Sequence, residues 1–209
     1  ADDRDSLVRE VDEELRREQL QKWWERYNGL ILGGAALIVV AVAGYKFMET
    51  RRITASQTAG AEFSKARTLE ADKKADDAQK AYEALAQSGP SGYAALAQLH
   101  LAKIHIDAGR TADALAIYET LAKNVSADGL VRGFAQLQAA SLRLGEADFT
   151  EIKNRLTPLV SSDSAYKVSA NELLGLAAFK AGNLAEARAY LEPLLIDPAA
   201  SNAIQDRIK

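Results

Sequence analysis

The chain has 209 residues, 48% of them apolar and 26% charged, which suits a folded domain with appendages and excludes a wholly disordered chain. It lacks cysteine, so disulfide frameworks, thiolate zinc sites and cysteine nucleophiles are excluded. Two histidines and a net charge of −3 offer little to a metal or a nucleic-acid backbone, and the composition weighs against an enzyme.

Residues 1–26 read as helix. Leu7, Val11 and Leu15 recur every four residues beside Val8, and Asp12/Arg16, Glu13/Arg17 and Glu18/Lys22 are oppositely charged pairs one turn apart. Two readings stay open for this stretch: a solvated helix leading into the next segment, or a small docking helix for a cytoplasmic partner.

Residues 27–45 carry no charge: YNGLILGGAALIVVAVAGY. At a rise of roughly 1.5 Å per residue a helix of this length reaches about 28 Å, near the hydrocarbon thickness of a bilayer. Trp23, Trp24 and Tyr27 precede it and Tyr45 and Phe47 close it, an aromatic belt at each end. The segment is expected to be a transmembrane helix; the competing reading is a buried core helix. A cleaved signal peptide fits poorly, because the preceding region is long and acidic, and the Ala59-Gly60-Ala61 triplet lies too far beyond the apolar core. Gly29, Gly33 and Gly34 form a candidate packing face for another membrane helix, with glycine simply tolerated in lipid as the alternative. Basic residues favour a cytoplasmic N-terminus only slightly. A following segment of about 160 residues can cross largely regardless of its charge.

Residues 46–54 are expected as a juxtamembrane connector and 55–209 as a repeat domain. Gly109, Gly145 and Gly182 recur 36 and 37 residues apart, each placed between two alanine-rich helical patterns. Stepping back 36 from Gly109 reaches Lys73, and Asp77-Ala78, Tyr82-Glu83 and Leu85-Ala86 then match Asp113-Ala114, Tyr118-Glu119 and Leu121-Ala122. GRTADALAIYE at 109–119 pairs with GNLAEARAYLE at 182–192, and Leu156-Thr157-Pro158-Leu159 echoes Leu191-Glu192-Pro193-Leu194. Each unit predicts two antiparallel helices around a turn, with a small alanine near the turn and a tyrosine or leucine four residues later between units. Gly89-Pro90-Ser91-Gly92, Ser126-Ala127-Asp128-Gly129, Ser161-Ser162-Asp163-Ser164 and Asp197-Pro198 mark the joints. One helix pair cannot bury its apolar face alone, so stacking is required. The expected fold is all-α: an N-terminal helix continuing into one transmembrane helix, then an α-solenoid of about four helix pairs.

Leu174-Gly175, Gly182 and Ala187, like Gly109, Ala114 and Tyr118, follow a spacing that resembles tetratricopeptide repeats. An acidic N-terminal helix, one span near residue 30 and a divergent repeat domain together resemble the bacterial ancillary Sec-translocon subunit family (YfgM-like). That resemblance implies an inner-membrane protein with a periplasmic repeat domain, bound to translocon subunits and periplasmic chaperones.

Catalytic chemistry finds no support. His100 and His105 are five apart, about 140° round a helix, and cannot share a ligand face. Glu13-Glu14 and Asp76-Asp77 read as solvated faces. No catalytic residue, metal, cofactor, nucleic acid or small-molecule substrate is expected. Setting Gly109 at the family's turn position places Leu99, Lys103 and Ile106 on the concave face, and the same frame gives Phe63, Arg67, Arg132, Glu172 and Phe179 as a candidate partner groove. Ser201 to Lys209 folding back to fill that groove is the competing expectation. The sequence thus points to a membrane-anchored protein-binding scaffold of the translocon and chaperone network, or to a structural accessory subunit of another membrane complex, respiratory or photosynthetic.

Overall fold

A computed structural model describes residues 2–160 and 163–208, with side chains from residue 16 onward apart from residue 19. Among the described residues there is no strand. The Leu7/Val11/Leu15 stripe, the Asp12/Arg16 and Glu13/Arg17 pairs and the Ser161-Ser162 part of one joint lie outside the described residues. Internal contacts divide the chain into two units, Ala1–Thr54 and Ala55–Lys209.

The described residues of the first unit are helical, within α1 (Asp2–Ala71). The expected connector at 46–54 is therefore continuous helix, since no proline or exposed turn sequence interrupts the intrahelical hydrogen bonds. The helix is long and apolar enough to cross a membrane, and the side chains of its most apolar stretch are uncovered. Leu30 is 73% exposed and Val40 69%. Trp23 and Tyr27 touch at 5.1 Å between ring centroids, and the Arg51 guanidinium lies 4.9 Å from the centre of the Phe47 ring. A Cβ added at Gly29, Gly33 or Gly34 would meet nothing within 4 Å, so this face is bare.

In the second unit the end of α1 begins a series of helix pairs. The next helices are α2 (Ala75–Ser88), α3 (Ser91–Asp107), α4 (Thr111–Lys123), α5 (Gly129–Arg143), α6 (Phe149–Leu156), α7 (Lys167–Lys180), α8 (Leu184–Leu191) and α9 (Asn202–Ile208). Short 3₁₀ turns, Thr157–Leu159 and Glu192–Leu195, follow α6 and α8. Each carries a proline in its opening positions, where the missing N–H is no loss. The two Leu-x-Pro-Leu echoes in the sequence are thus the same local structure.

Packing follows the alanine pattern. Ala78, Ala114 and Ala187 are buried beside their turns, and Tyr82 and Tyr118, four residues later, are buried in turn. Ile152 and Leu156 do the same work in α6, at zero exposure. Fully burying side chains of this size stabilises by roughly 1.5–3 kcal/mol each. Three adjoining clusters result, the first joining α1, α2 and α3, the second α3, α4 and α5, the third α5, α6, α7 and the 3₁₀ turn after α6. Glycine permits the closest approaches: a Cβ at Gly175 would sit 2.3 Å from Leu191 Cγ.

One expectation is corrected here. Gly145 does not share the setting of Gly109 and Gly182. Those two have φ +74° and +77°, and among the described residues Lys73 also has a positive φ, +60°. Each ends its helix with the same pair of bonds: Lys73 N–H to Glu70 O and Lys74 N–H to Leu69 O, Gly109 to Ile106 and Arg110 to His105, Gly182 to Phe179 and Asn183 to Ala178. This is the Schellman arrangement, which needs a left-handed residue. At Gly145 the chain instead takes two more residues before α6 starts. Asp148 caps α6 by accepting from Glu151 N–H at 2.7 Å. The carbonyls of Leu144 and Gly145 accept from the Lys180 ammonium of α7, at 3.1 Å for Leu144.

Candidate functional site

The eight groove candidates separate into two groups. Phe63, Leu99 and Glu172 stand ten residues before Lys73, Gly109 and Gly182, and each is packed or bonded inside the fold. Phe63 is half-buried, its ring 5.9 Å from Tyr93 and 5.3 Å, edge-on, from His100 of α3. Leu99 packs on the cluster that includes Ala135 and Ala139 of α5. Glu172 is buried and accepts from Arg207 of α9 at 2.6 and 2.9 Å. By contrast Arg67, Lys103, Ile106 and Phe179 are exposed, Phe179 by 64%. Arg132 is half-buried, with its Nε enclosed and without a hydrogen-bond partner.

A polar cluster that sequence reasoning missed joins α1, α2 and α3. Glu70 Oε2 accepts from the Tyr82 hydroxyl at 3.0 Å and lies 2.8 Å from His100 Nδ1, while Oε1 accepts from Lys103 at 3.1 Å. Tyr82 and His100 stack with centroids 4.8 Å apart. Lys103 also reaches Asp107 at 2.8 Å. Burial alone would raise the Glu70 pKa, but the hydrogen bonds from Lys103, His100 and Tyr82 outweigh it and hold the carboxyl below its ordinary value. Burial, reinforced by the Glu70 carboxylate, pushes the Tyr82 phenol well up. The available signal was spacing: His100 and Lys103 share one face of α3, and Glu70 is one turn before the left-handed Lys73.

Beside this cluster, at the turn end of α1 to α3, lies an open cavity of about 280 Å³ lined by Glu70, Lys73, Asp76, Gln79, Lys103 and Arg110. Its acids and bases are interleaved and Arg110 is spent on His105 Nδ1 (2.8 Å) and Gln79 (3.0 Å). Among the described residues no three histidine or acidic side chains are grouped to hold a metal ion. The arrangement suits docking of a polypeptide: exposed Ile106 and Phe179 stand at matching places in the turn frame, three residues before Gly109 and Gly182, with cationic Arg67 and Lys103 on α1 and α3.

A tetratricopeptide repeat-like domain model matches residues 21–204, which take in the apolar stretch and every helix pair. The chain belongs to that family. No curated protein and no solved structure matches it. Tetratricopeptide-like domains mediate protein–protein interaction, which supports protein partners in general for this chain. Glu70, Ile106 and Phe179 stand at the same place in the frame of the left-handed turns, three residues before Lys73, Gly109 and Gly182. That row changes from acidic to apolar along the domain.

Proposed function

We propose that this chain is a non-enzymatic, membrane-anchored scaffold whose tetratricopeptide-like solenoid holds proteins of the Sec translocon and the periplasmic chaperone network. The observation that carries the reading is the joining, in one family match, of an uncovered apolar helix to a repeat domain with exposed Ile106, Phe179, Arg67 and Lys103. In this reading residues 1–26 lie in the cytoplasm, 27–45 cross the inner membrane once and the repeats lie in the periplasm. Photo-crosslinkers at Ile106 and Phe179 in native membranes, read by mass spectrometry, should capture translocon subunits or chaperones. A partner-free chain at both positions would end the proposal. Protease added to spheroplasts should digest the repeats and spare an N-terminal tag; protected repeats would reverse the topology and remove the export role.

The bare Gly29, Gly33 and Gly34 face supports a second reading, in which the span itself is the main contact within a respiratory or photosynthetic complex. Replacing 27–45 with an unrelated apolar helix distinguishes the two. Association lost favours the second reading, and association kept favours the first.

A further inference from the structure

The left-handed turns define two rows on the first helices of their pairs. Six residues before Lys73, Gly109 and Gly182 stand Arg67, Lys103 and Leu176, and three before them stand Glu70, Ile106 and Phe179. Residues three apart on a helix are neighbours on one face, so α1, α3 and α7 each present one member of both rows side by side. Both rows run from charged at α1 to apolar at α7. The apolar side chains are uncovered: Ile106 is 37% exposed, Leu176 38% and Phe179 64%. Among the described residues the second helices α2, α4 and α6 expose no large apolar side chain. Exposed apolar surface kept to one layer of helices marks that layer as a binding face.

At the charged end the acids are already engaged. Glu70 and Asp107 both accept from the Lys103 ammonium, at 3.1 and 2.8 Å, and Glu70 also holds Tyr82 and His100. Arg67, by contrast, is exposed and makes no ion pair among the described residues. The charge left open on this face is thus a guanidinium, whose paired N–H donors match a carboxylate. Packed helices sit about 8–10 Å apart. One such step separates α1 from α3. Two separate α3 from α7, with α5 between them, packed on Leu99 through Ala135 and Ala139 and on α7. An extended chain advances about 3.3 Å per residue, so roughly three residues span the first interval and roughly five or six the second.

Resting on the protein-binding reading above, we propose that this face docks an extended segment of a partner protein that is acidic at one end and apolar at the other. Its carboxylate pairs with Arg67. An apolar side chain about three positions along covers Ile106, and a second, roughly five or six further, covers Leu176 and Phe179.

The test uses the purified full chain in detergent at low salt and the fluorescein-labelled peptide Ser-Glu-Ser-Gln-Leu-Ser-Gln-Ser-Gln-Phe-Ser, with its reversed sequence, followed by anisotropy. One of the two directions binds wild type, and lysine in place of its glutamate weakens binding about tenfold or more. Arg67→Glu abolishes or inverts that preference. Ile106→Ser and Phe179→Ser each weaken the glutamate peptide about tenfold. No binding in either direction overturns the proposal. So does a lysine peptide that binds wild type as well as the glutamate peptide, a preference that survives Arg67→Glu, or full affinity in Phe179→Ser. If Arg67→Glu loses its helical circular dichroism, Arg67→Gln decides; it should bind both peptides alike, and a kept preference overturns the site. Failure here is distinct from failure of the scaffold reading. Crosslinks at Ile106 and Phe179 that capture translocon subunits or chaperones while the peptides fail remove only this chemistry. Peptides that bind as described while no partner is captured keep the groove and remove the translocon role.

Discussion

The turn after α3 and the turn after α5 solve the same problem by different means. At Gly109 the chain bends left-handed and the backbone closes its own last carbonyls. At Gly145 it does not, and the work passes to side chains: Lys180 on the carbonyls of Leu144 and Gly145, Asp148 on the start of α6. A backbone solution is local and depends on one residue's φ. A side-chain solution joins α7 to the end of α5, so that pair is completed only when its successor arrives.

Substitution should separate these two solutions. Gly109→Val or Gly182→Val places a β-branched residue at positive φ and should cost about 2 kcal/mol or more, read as a fall in the denaturation midpoint. Lys180→Met should cost about 1 kcal/mol and speed hydrogen exchange at the end of α5 more than at α3. Asp148→Ala should cost about 1 kcal/mol through its lost cap. Gly145→Ala should be neutral or raise stability by about 0.5 kcal/mol, because no left-handed residue is needed there; a loss as large as at Gly109 would sink the comparison. Lys73→Gly, which relieves a lysine at φ +60°, should gain about 0.5 kcal/mol or less. The smallest effect concerns pH. The Glu70 pKa is lower folded than its ordinary 4.5, so the stability from its bonds to Lys103, His100 and Tyr82 is complete above that value and is lost as pH falls through the depressed one. Glu70→Gln should flatten that acid limb in chemical denaturation measured against pH.

These contrasts also explain what could be read in advance. The helix pairs, the buried alanines and Tyr82 and Tyr118 were legible, because a 36-residue period repeats both the residue types and their burial. Gly145 misled because glycine identity does not report φ, and two extra residues before α6 shift the register from Gly145 onward. Lys73 was found by counting and not by type, since lysine seldom takes that conformation. The Glu70 cluster stayed hidden because its partners lie 12, 30 and 33 residues away, with no motif to link them. Phe63 meets His100 of α3 and Glu172 meets Arg207 of α9, and the sequence frame could not tell a face open to a partner from one turned to a neighbouring helix.

The distance over which these bonds reach has a consequence for how the chain emerges from a ribosome. Tyr166 binds the carbonyl of Leu130 across 36 residues, Glu172 meets Arg207 across 35, and Glu70 meets His100 across 30. Contacts of that span close early and quickly compared with pairings across a whole domain. Each helix pair can therefore settle against its predecessor while the rest of the chain is still being made, with Glu172 the last to find its cation.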